Sequence, residues 1–177
     1  MASHPQRALQ RALQRPGRMM FLLAWIALAA LLYLYFDSQL SKRHNPNQQV
    51  AGRVEGAMSE IQLLRNRHGH YVATAAINGH EVVMLVDTGA TEISIPESVA
   101  ARLGLKKGRP FPVSTANGTI EVYQTRIDSL SIGVLTLYDL SANINPGLDD
   151  STILLGMNAL KDLELVQRGD TLTLRKY

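Results

Sequence analysis

The sequence predicts a small, mainly β domain preceded by one membrane-spanning helix, and three observations lead to this prediction. Short runs of β-branched and apolar residues recur through the C-terminal two-thirds of the chain, separated by Asn-Gly and other glycine-containing turns. Only two short stretches there have the apolar spacing of a helix. One uncharged run, 19–36, lies near the N-terminus. Together these features predict a β-barrel or β-sandwich with one or two short helices.

The composition narrows the possible functions. The 177-residue chain contains no cysteine, which excludes disulfide frameworks, cysteine zinc sites and thiol nucleophiles. Its net charge of +3 comes from the N-terminal tail, where four arginines precede the first acidic residue, Asp37. The rest of the chain is close to neutral and shows no basic patch interleaved with aromatic residues. A nucleic-acid partner is therefore not expected.

The uncharged run at 19–36 predicts a single-pass membrane protein. As a helix, its 18 residues rise about 27 Å, which is enough for the hydrocarbon core of a bilayer. The preceding arginines predict a cytoplasmic basic tail over 1–18, although Lys42 and Arg43 reduce the charge difference across the span. We therefore expect anchoring in the inner (cytoplasmic) membrane, with the β domain periplasmic or otherwise extracytoplasmic. A cleaved signal peptide and a buried core helix are the alternatives.

A polar stretch without sustained periodicity follows the helix. Residues 37–60 are predicted to form a linker, and residues 61–177 a folded domain. Hairpin turns are expected at Asn78-Gly79, Asn117-Gly118 and Arg168-Gly169. Strands are predicted over 70–77, 82–86, 92–95, 111–115, 119–125, 129–132, 134–144, 153–155, 163–166 and 171–174, with short helices after Pro96 and over 158–163.

The segment most informative about chemistry is Asp87-Thr88-Gly89-Ala90, which follows the apolar run Val82–Val86. A carboxylate directly after a buried strand costs free energy unless it has partners. Gly89 lacks a Cβ and lets another backbone approach closely, and Thr88 supplies a hydroxyl for a tight contact. This order of strand, acid, hydroxyl and glycine indicates a carboxylate presented at the floor of a cleft.

The segment from Val86 to Ala90 resembles the active-site motif of retropepsin-like (clan AA) aspartic peptidases, in which two apolar residues precede Asp-Thr-Gly-Ala. A second signature of that family, two apolar residues and a glycine before a short helix, matches Leu154, Leu155 and Gly156. The similarity covers about residues 73–174 and is greatest to bacterial membrane-anchored members with a single lobe. It implies a small closed β-barrel of the retropepsin (acid protease) type.

The same resemblance implies a flap, which is a β-hairpin that closes over the substrate. The candidate hairpin spans 113–123, and its tip consists of Ala116, Asn117 and Gly118. In viral members of the family, an acidic residue two places after the motif glycine pairs with an arginine after the second glycine. Thr91 and Met157 occupy those positions here, so the sequence departs from the family at this ion pair.

The motif occurs once, whereas an aspartic peptidase needs two carboxylates that share one proton. The resemblance therefore implies a homodimer in which Asp87 of each subunit supplies half of the dyad, with Thr88 bonding across the interface. It further implies an aspartic endopeptidase that hydrolyses polypeptides through a water molecule activated by the dyad. No metal and no other cofactor are expected.

Two other functions follow from less specific interpretations of the same residues. Asp87-Thr88-Gly89 also suits an ordinary turn. The chain could then be a non-catalytic, membrane-anchored module that binds an extended peptide by strand addition, or a membrane-anchored structural protein. His68, His70 and His80 lack the spacing of a metal site and are expected on the surface.

Overall fold

The computed structural model describes residues 5–115, 118–148 and 151–177, and in it the side chains of all but 5–16 and 18. The chain divides into two compact units, Met1–Ser41 and Lys42–Tyr177. The helices are α1 (Pro5–His44), α2 (Glu97–Arg102) and α3 (Met157–Leu160). The strands are β1 (Gly52–Glu55), β2 (Met58–Leu64), β3 (Val72–Ile77), β4 (His80–Val86), β5 (Ile93–Pro96), β6 (Pro110–Thr115), β7 (Gly118–Ile132), β8 (Leu135–Asn145), β9 (Thr152–Leu155), β10 (Glu164–Arg168) and β11 (Thr171–Lys176).

The helix α1 contains the predicted apolar run and extends beyond it at both ends. Its segment Met19–His44 is long and apolar enough to cross a membrane. The helix continues past Phe36 because the next residues include neither glycine nor proline. It ends at His44, two residues before Pro46, where the residue preceding a proline is pushed out of the helical region.

A four-stranded antiparallel sheet occupies one part of the folded unit, in the order β1-β2-β11-β10. The expected linker over 37–60 differs from this structure, because α1, β1 and the start of β2 lie in that segment. Charged residues hide the strand signal here: Glu60 is buried, and its carboxylate pairs with Arg53 and Arg175 from the neighbouring strands. A buried glutamate thus occupies a position where an alternating strand pattern would show an apolar residue.

The seven other strands form a strongly curved sheet in the order β3-β4-β9-β5-β8-β7-β6. A further two-residue pairing joins β3 to β7, so six of these strands are connected in a ring. The pairs β4–β9 and β5–β8 are parallel, and the other pairings are antiparallel. Isoleucine and leucine side chains fill the interior, including Ile77, Ile93, Ile95, Ile127, Leu130, Ile144, Ile153 and Leu155. The predicted fold class, mainly β with short helices after one apolar helix, is confirmed.

Turns between the strands follow the glycine positions. Asn78 and Gly79 connect β3 to β4 with φ of 50° and 80°, as expected for a two-residue hairpin turn. Gly133 has a φ of 55° and lies between β7 and β8. The two strands predicted over 119–125 and 129–132 are one continuous strand, β7. Residues on both sides of Asp128 pair with β8, and Asp128 itself has no pairing partner there.

Candidate active site

Asp87 lies directly after β4, where the strand leaves the curved sheet. Strand β4 runs parallel to β9, with Val86 opposite Leu155. The backbone N–H of Asp87 donates a hydrogen bond of 3.1 Å to the carbonyl oxygen of Leu155. The side chain of Asp87 is half-buried. The parallel ladder therefore brings the Asp-Thr-Gly motif next to the Leu-Leu-Gly signature.

A tight turn orients the carboxylate. The N–H of Gly89 donates to Oδ1 of Asp87 over 2.9 Å, and the N–H of Ala90 donates to the carbonyl oxygen of Asp87 over 3.3 Å. A Cβ at Gly89 would lie 3.2 Å from the same Oδ1, which is tighter than an ordinary contact. Thr88 and Gly89 are exposed at the tip of the turn. The turn thus holds one carboxylate oxygen and presents its own tip to solvent.

The Leu-Leu-Gly signature fixes the segment that follows the turn. A Cβ at Gly156 would lie 2.4 Å from the carbonyl oxygen of Glu92 and 2.9 Å from that of Ala90, so two backbone segments meet here in a space that only glycine leaves open. The N–H of Met157 donates to the carbonyl oxygen of Ala90 over 2.8 Å. The residues after Asp87 therefore pack on the start of α3.

Asn158 strengthens this contact, and the sequence analysis did not single it out. Its N–H donates to the carbonyl oxygen of Thr91 over 3.0 Å. Its side-chain Oδ1 accepts from the N–H of Ile93 at 3.0 Å, and its Nδ2 donates to the carbonyl oxygen of Ser141 at 2.7 Å. One asparagine thus joins the motif segment, α3 and β8. The sequence feature that could have identified Asn158 is its amide side chain, directly after the helix start at Gly156-Met157.

The predicted flap corresponds to the hairpin of β6 and β7, which pair from Pro110 opposite Tyr123 to Thr115 opposite Gly118. Ala116 and Asn117 lie outside the described residues. Gly118 has a φ of 114°, which favours glycine, and its carbonyl oxygen accepts a hydrogen bond of 2.8 Å from the hydroxyl of Thr115. A hairpin is therefore present where the flap was expected.

A cavity of about 320 Å³ lies between the hairpin and the segment after the motif. Its lining consists of Glu92, Arg109, Pro110, Phe111 and Gln124. A carboxylate, a guanidinium and an aromatic ring thus line one space. Such a mixture can accept a polar or charged side chain whose stem packs on the ring.

The histidines at positions 68, 70 and 80 raise the question of a metal site. Among the described residues, no three His, Asp or Glu side chains are grouped closely enough to hold a metal ion. His68, His70 and His80 are each exposed. The strand pairing instead brings the Asp87 turn next to the second motif, at Leu155 and Gly156.

A family model described as "gag-polyprotein putative aspartyl protease" matches residues 73–162, about half of the chain. This match includes the turn at Asp87, the hairpin of β6 and β7, and α3. The chain belongs to the retropepsin-like aspartic protease family.

One solved structure and two curated proteins are similar to this chain. A crystal structure of a retropepsin-like aspartic protease from Rickettsia conorii is similar with a TM-score of 0.57 and 28% identity, over 72% of this chain and 96% of that one. Two curated relatives are an uncharacterized protein in the cobV 5′ region of Sinorhizobium sp, 33% identical over 73% of this chain, and the uncharacterized protein RP867 of Rickettsia prowazekii (strain Madrid E), 30% identical over 59%. The retropepsin-like chain spans 61% and 46% of the lengths of these two relatives.

Proposed function

We propose that this protein is an aspartic endopeptidase whose dyad consists of Asp87 from each of two identical subunits. The observation that carries the proposal is the geometry of Asp87 at the end of β4. Its backbone N–H binds the carbonyl oxygen of Leu155, and its carboxylate accepts a hydrogen bond from the N–H of Gly89. The family and the fold support the general assignment as a protease. Asp87 is the catalytic residue in this proposal.

The exposed tip of the turn supports the dimer. Thr88 and Gly89 are exposed in the single chain although they belong to the matched family segment. A twofold axis beside this tip would bring two copies of Asp87 together and cover both tips. Thr88 would then bond across the interface with its hydroxyl, while Ala90 stays on the side that packs against α3.

Two neighbouring Asp87 carboxylates would provide both proton-transfer functions of peptide hydrolysis. Like charges a few ångströms apart resist joint ionisation, so the pair holds one proton between pH values set by the pair as a unit. The ionised carboxylate takes a proton from the attacking water, and the protonated carboxyl group donates a hydrogen bond to the scissile carbonyl oxygen. The water oxygen forms a bond to the carbonyl carbon, and as the carbon–nitrogen bond breaks, the proton taken from the water passes to the leaving amine.

The hairpin of β6 and β7 and the neighbouring cavity support a polypeptide substrate. Strand β6 is at the edge of the curved sheet, so its outer side is available for main-chain hydrogen bonds with an extended peptide. The cavity lined by Glu92 and Arg109 would receive one substrate side chain. Closure of the hairpin over the peptide would exclude water from the dyad.

The helix α1 would anchor the enzyme in the bilayer, with the peptidase domain outside the cytoplasm and the basic N-terminal tail inside. Confinement of both subunits to one membrane raises their effective concentration, which favours the homodimer. In this proposal the domain boundaries are a tail over 1–18, a span over 19–36 and a peptidase that includes 61–177.

The decisive experiment compares the full-length protein with Asp87→Asn in a peptide-cleavage assay. The substitution removes the ionisable group while keeping its shape, so we expect cleavage to fall by at least about 10³-fold with an unchanged unfolding midpoint. Asp162→Asn, at an exposed acidic residue after α3, serves as the matched control and should retain activity. Full activity of Asp87→Asn would overturn the mechanism, and peptide binding without cleavage by the wild type would favour the non-catalytic module.

A mixing experiment tests the shared dyad. Equal amounts of wild-type and Asp87→Asn subunits, co-expressed and assembled at random, place two intact carboxylates in about one quarter of the dimers. We expect activity of about one quarter of that of the same total amount of wild type. Activity of one half would show that each chain acts by itself.

A further inference from the structure

Exposed basic side chains gather where α1 joins the folded unit. The helix ends with Lys42, Arg43 and His44, all exposed. The carbonyl oxygen of His44 accepts a hydrogen bond of 3.0 Å from Nδ2 of Asn66. The loop around Asn66 carries further basic residues at the surface. We call these residues together the juxtamembrane basic cluster: Lys42, Arg43, His44, Arg65, Arg67, His68 and His70.

Asn66 organises the loop that carries four of the seven residues of this cluster. It is 7% exposed, and its Oδ1 accepts hydrogen bonds from the N–H groups of His68 and His70 at 2.9 and 3.0 Å. The N–H of Asn66 donates to the carbonyl oxygen of His70 at 2.7 Å, and Gly69 completes the turn with a φ of 87°. These hydrogen bonds close the loop on Asn66, and the basic side chains of the loop are exposed.

A second asparagine fixes the chain between α1 and β1 to the same region. Asn47 is buried, and its Nδ2 donates to the carbonyl oxygens of Leu64 and Val72 at 2.9 and 2.7 Å. The N–H of Leu64 donates back to Oδ1 of Asn47 over 2.7 Å. Within the folded unit, residues 44–47 are therefore held beside residues 64–72.

The charge of the cluster is mostly uncompensated. Among the described residues, Arg65 is the one cluster member that forms an ion pair, and its partner is Asp170. A concave surface of about 350 Å³ opens there and is lined by Arg65, Asn66, Arg67, Gly69 and Asp170. The lysine and arginine residues of the cluster, Lys42, Arg43, Arg65 and Arg67, outnumber Asp170 and Asp37, the latter on the same helix as Lys42. Such a surface attracts anions.

The position of the cluster along the chain indicates which anions it meets. His44 follows Phe36, the last residue of the apolar run, by eight residues of the same helix, a rise of about 12 Å. Headgroups extend roughly 5–8 Å beyond the hydrocarbon, and the Debye length is about 8 Å at physiological ionic strength. We propose that the juxtamembrane basic cluster binds the anionic headgroups of the bilayer that α1 enters, and so holds the folded unit against the membrane surface. The proposal needs α1 in a bilayer and is independent of catalysis.

The test measures how close the folded unit lies to the membrane in the full-length protein. Because the chain has no cysteine, Leu64→Cys gives a unique labelling position one residue before Arg65, with a parent side chain that is 53% exposed. The labelled protein is placed in nanodiscs of phosphatidylcholine, with or without phosphatidylglycerol, that carry an acceptor dye on a headgroup. We expect higher energy transfer in the anionic discs, returning to the neutral-disc value in 1 M salt.

Charge variants identify the surface responsible. One basic residue near an anionic surface contributes about a fivefold change in the ratio of bound to released states, so Arg67→Gln should lower that ratio about fivefold. Arg102→Gln, at an exposed arginine at the end of α2, should leave it unchanged. Equal energy transfer in neutral and anionic discs, equal effects of the two variants, or loss of the full-length chain from the discs would each overturn the proposal.

Discussion

The N–H of Asp87 and the carbonyl oxygen of Leu155 share a hydrogen bond of 3.1 Å, at the point where the parallel pairing of β4 and β9 ends. Parallel strands cannot be joined by a tight turn, and β5, β6, β7 and β8 lie between these two in the sequence. The position of the carboxylate therefore depends on the pairing of two strands that are distant in the sequence. Its geometry reports on the integrity of the whole domain.

Gly156→Ala tests how tightly the two signatures pack. Gly156 has φ of −83° and ψ of 177°, a conformation that alanine adopts without strain, so the clash with the Glu92 carbonyl oxygen at 2.4 Å is the expected cost. Both nearby groups are backbone and cannot rotate away. We expect a loss of roughly 1–3 kcal/mol in the free energy of unfolding and a fall in cleavage rate, measured by urea denaturation and peptide assay.

Gly17→Ala is the control for that experiment, since no atom beyond the neighbouring turns of its own helix lies within 4 Å of the Cβ that it would add. It should leave both measurements unchanged. Wild-type stability and cleavage in Gly156→Ala would contradict the packing described for the second signature.

Asn158→Ala tests the asparagine that joins three elements. The substitution leaves the N–H of the fully buried Ile93 without its acceptor, which costs roughly 1–3 kcal/mol of unfolding free energy. Asn158→Asp keeps the acceptor but turns the hydrogen bond to the Ser141 carbonyl into a repulsion, so it should rescue only part of the loss. Gln167→Ala, at an exposed amide in β10, provides the control. Equal midpoints for all three variants would contradict this role.

The fold and the motif positions could be predicted because they rest on local signals. Apolar runs and Asn-Gly turns mark the strands, and Asp87 follows directly from the run at Val82–Val86. Gly156 could be singled out only by its resemblance to a family pattern, since its role depends on the carbonyl oxygen of Glu92 from another part of the chain.

The features that escaped prediction depend on contacts between distant segments. Glu60 and Arg175 are widely separated in sequence, and each alone is typical of a solvated surface, yet the pairing of β2 with β11 places them opposite each other and buries the Glu60 carboxylate. Asn158 is similar, because its side-chain partners, Ile93 and Ser141, lie on other strands. No periodicity in a single segment encodes such partners.

Arg109→Glu tests whether the cavity beside the hairpin selects substrates. In the wild type, one acid (Glu92) and one base (Arg109) line this cavity. After the substitution, both positions carry a carboxylate. We expect the kcat/KM ratio for peptides with a lysine over those with a glutamate at the bound position to rise about tenfold, which corresponds to about 1.4 kcal/mol. Cleavage of a peptide library gives the profile. Arg102→Glu on α2 is the control, and an identical profile for both variants would rule the cavity out.

Glu60 should make the stability of the folded unit depend on acidity. Its side chain is 4% exposed and accepts hydrogen bonds from Arg175 at 2.5 Å and from Arg53 at 3.4 Å. The bond from Arg175, more than any other contact, lowers the pKa of Glu60 below its ordinary value in spite of burial. At neutral pH the Glu60 carboxylate is ionised in both the folded and the unfolded chain, so its full contribution to stability is present there. As the pH falls below about 4.3, the unfolded chain takes up a proton first and the stabilisation declines until the pH passes the lower, folded-state pKa.

The measurement follows the urea midpoint of the full-length protein in detergent from pH 6 to pH 3. The wild type should lose stability more steeply below about pH 4.3 than Glu60→Gln, which cannot titrate at this position. At neutral pH the variant should be the less stable of the two, because Arg53 and Arg175 lose their shared carboxylate. Glu81→Gln, at an exposed residue of β4, should follow the wild-type curve. If Glu60→Gln instead declines in parallel with the wild type, the pairing of Glu60 with the two arginines does not contribute to the acid sensitivity of the fold.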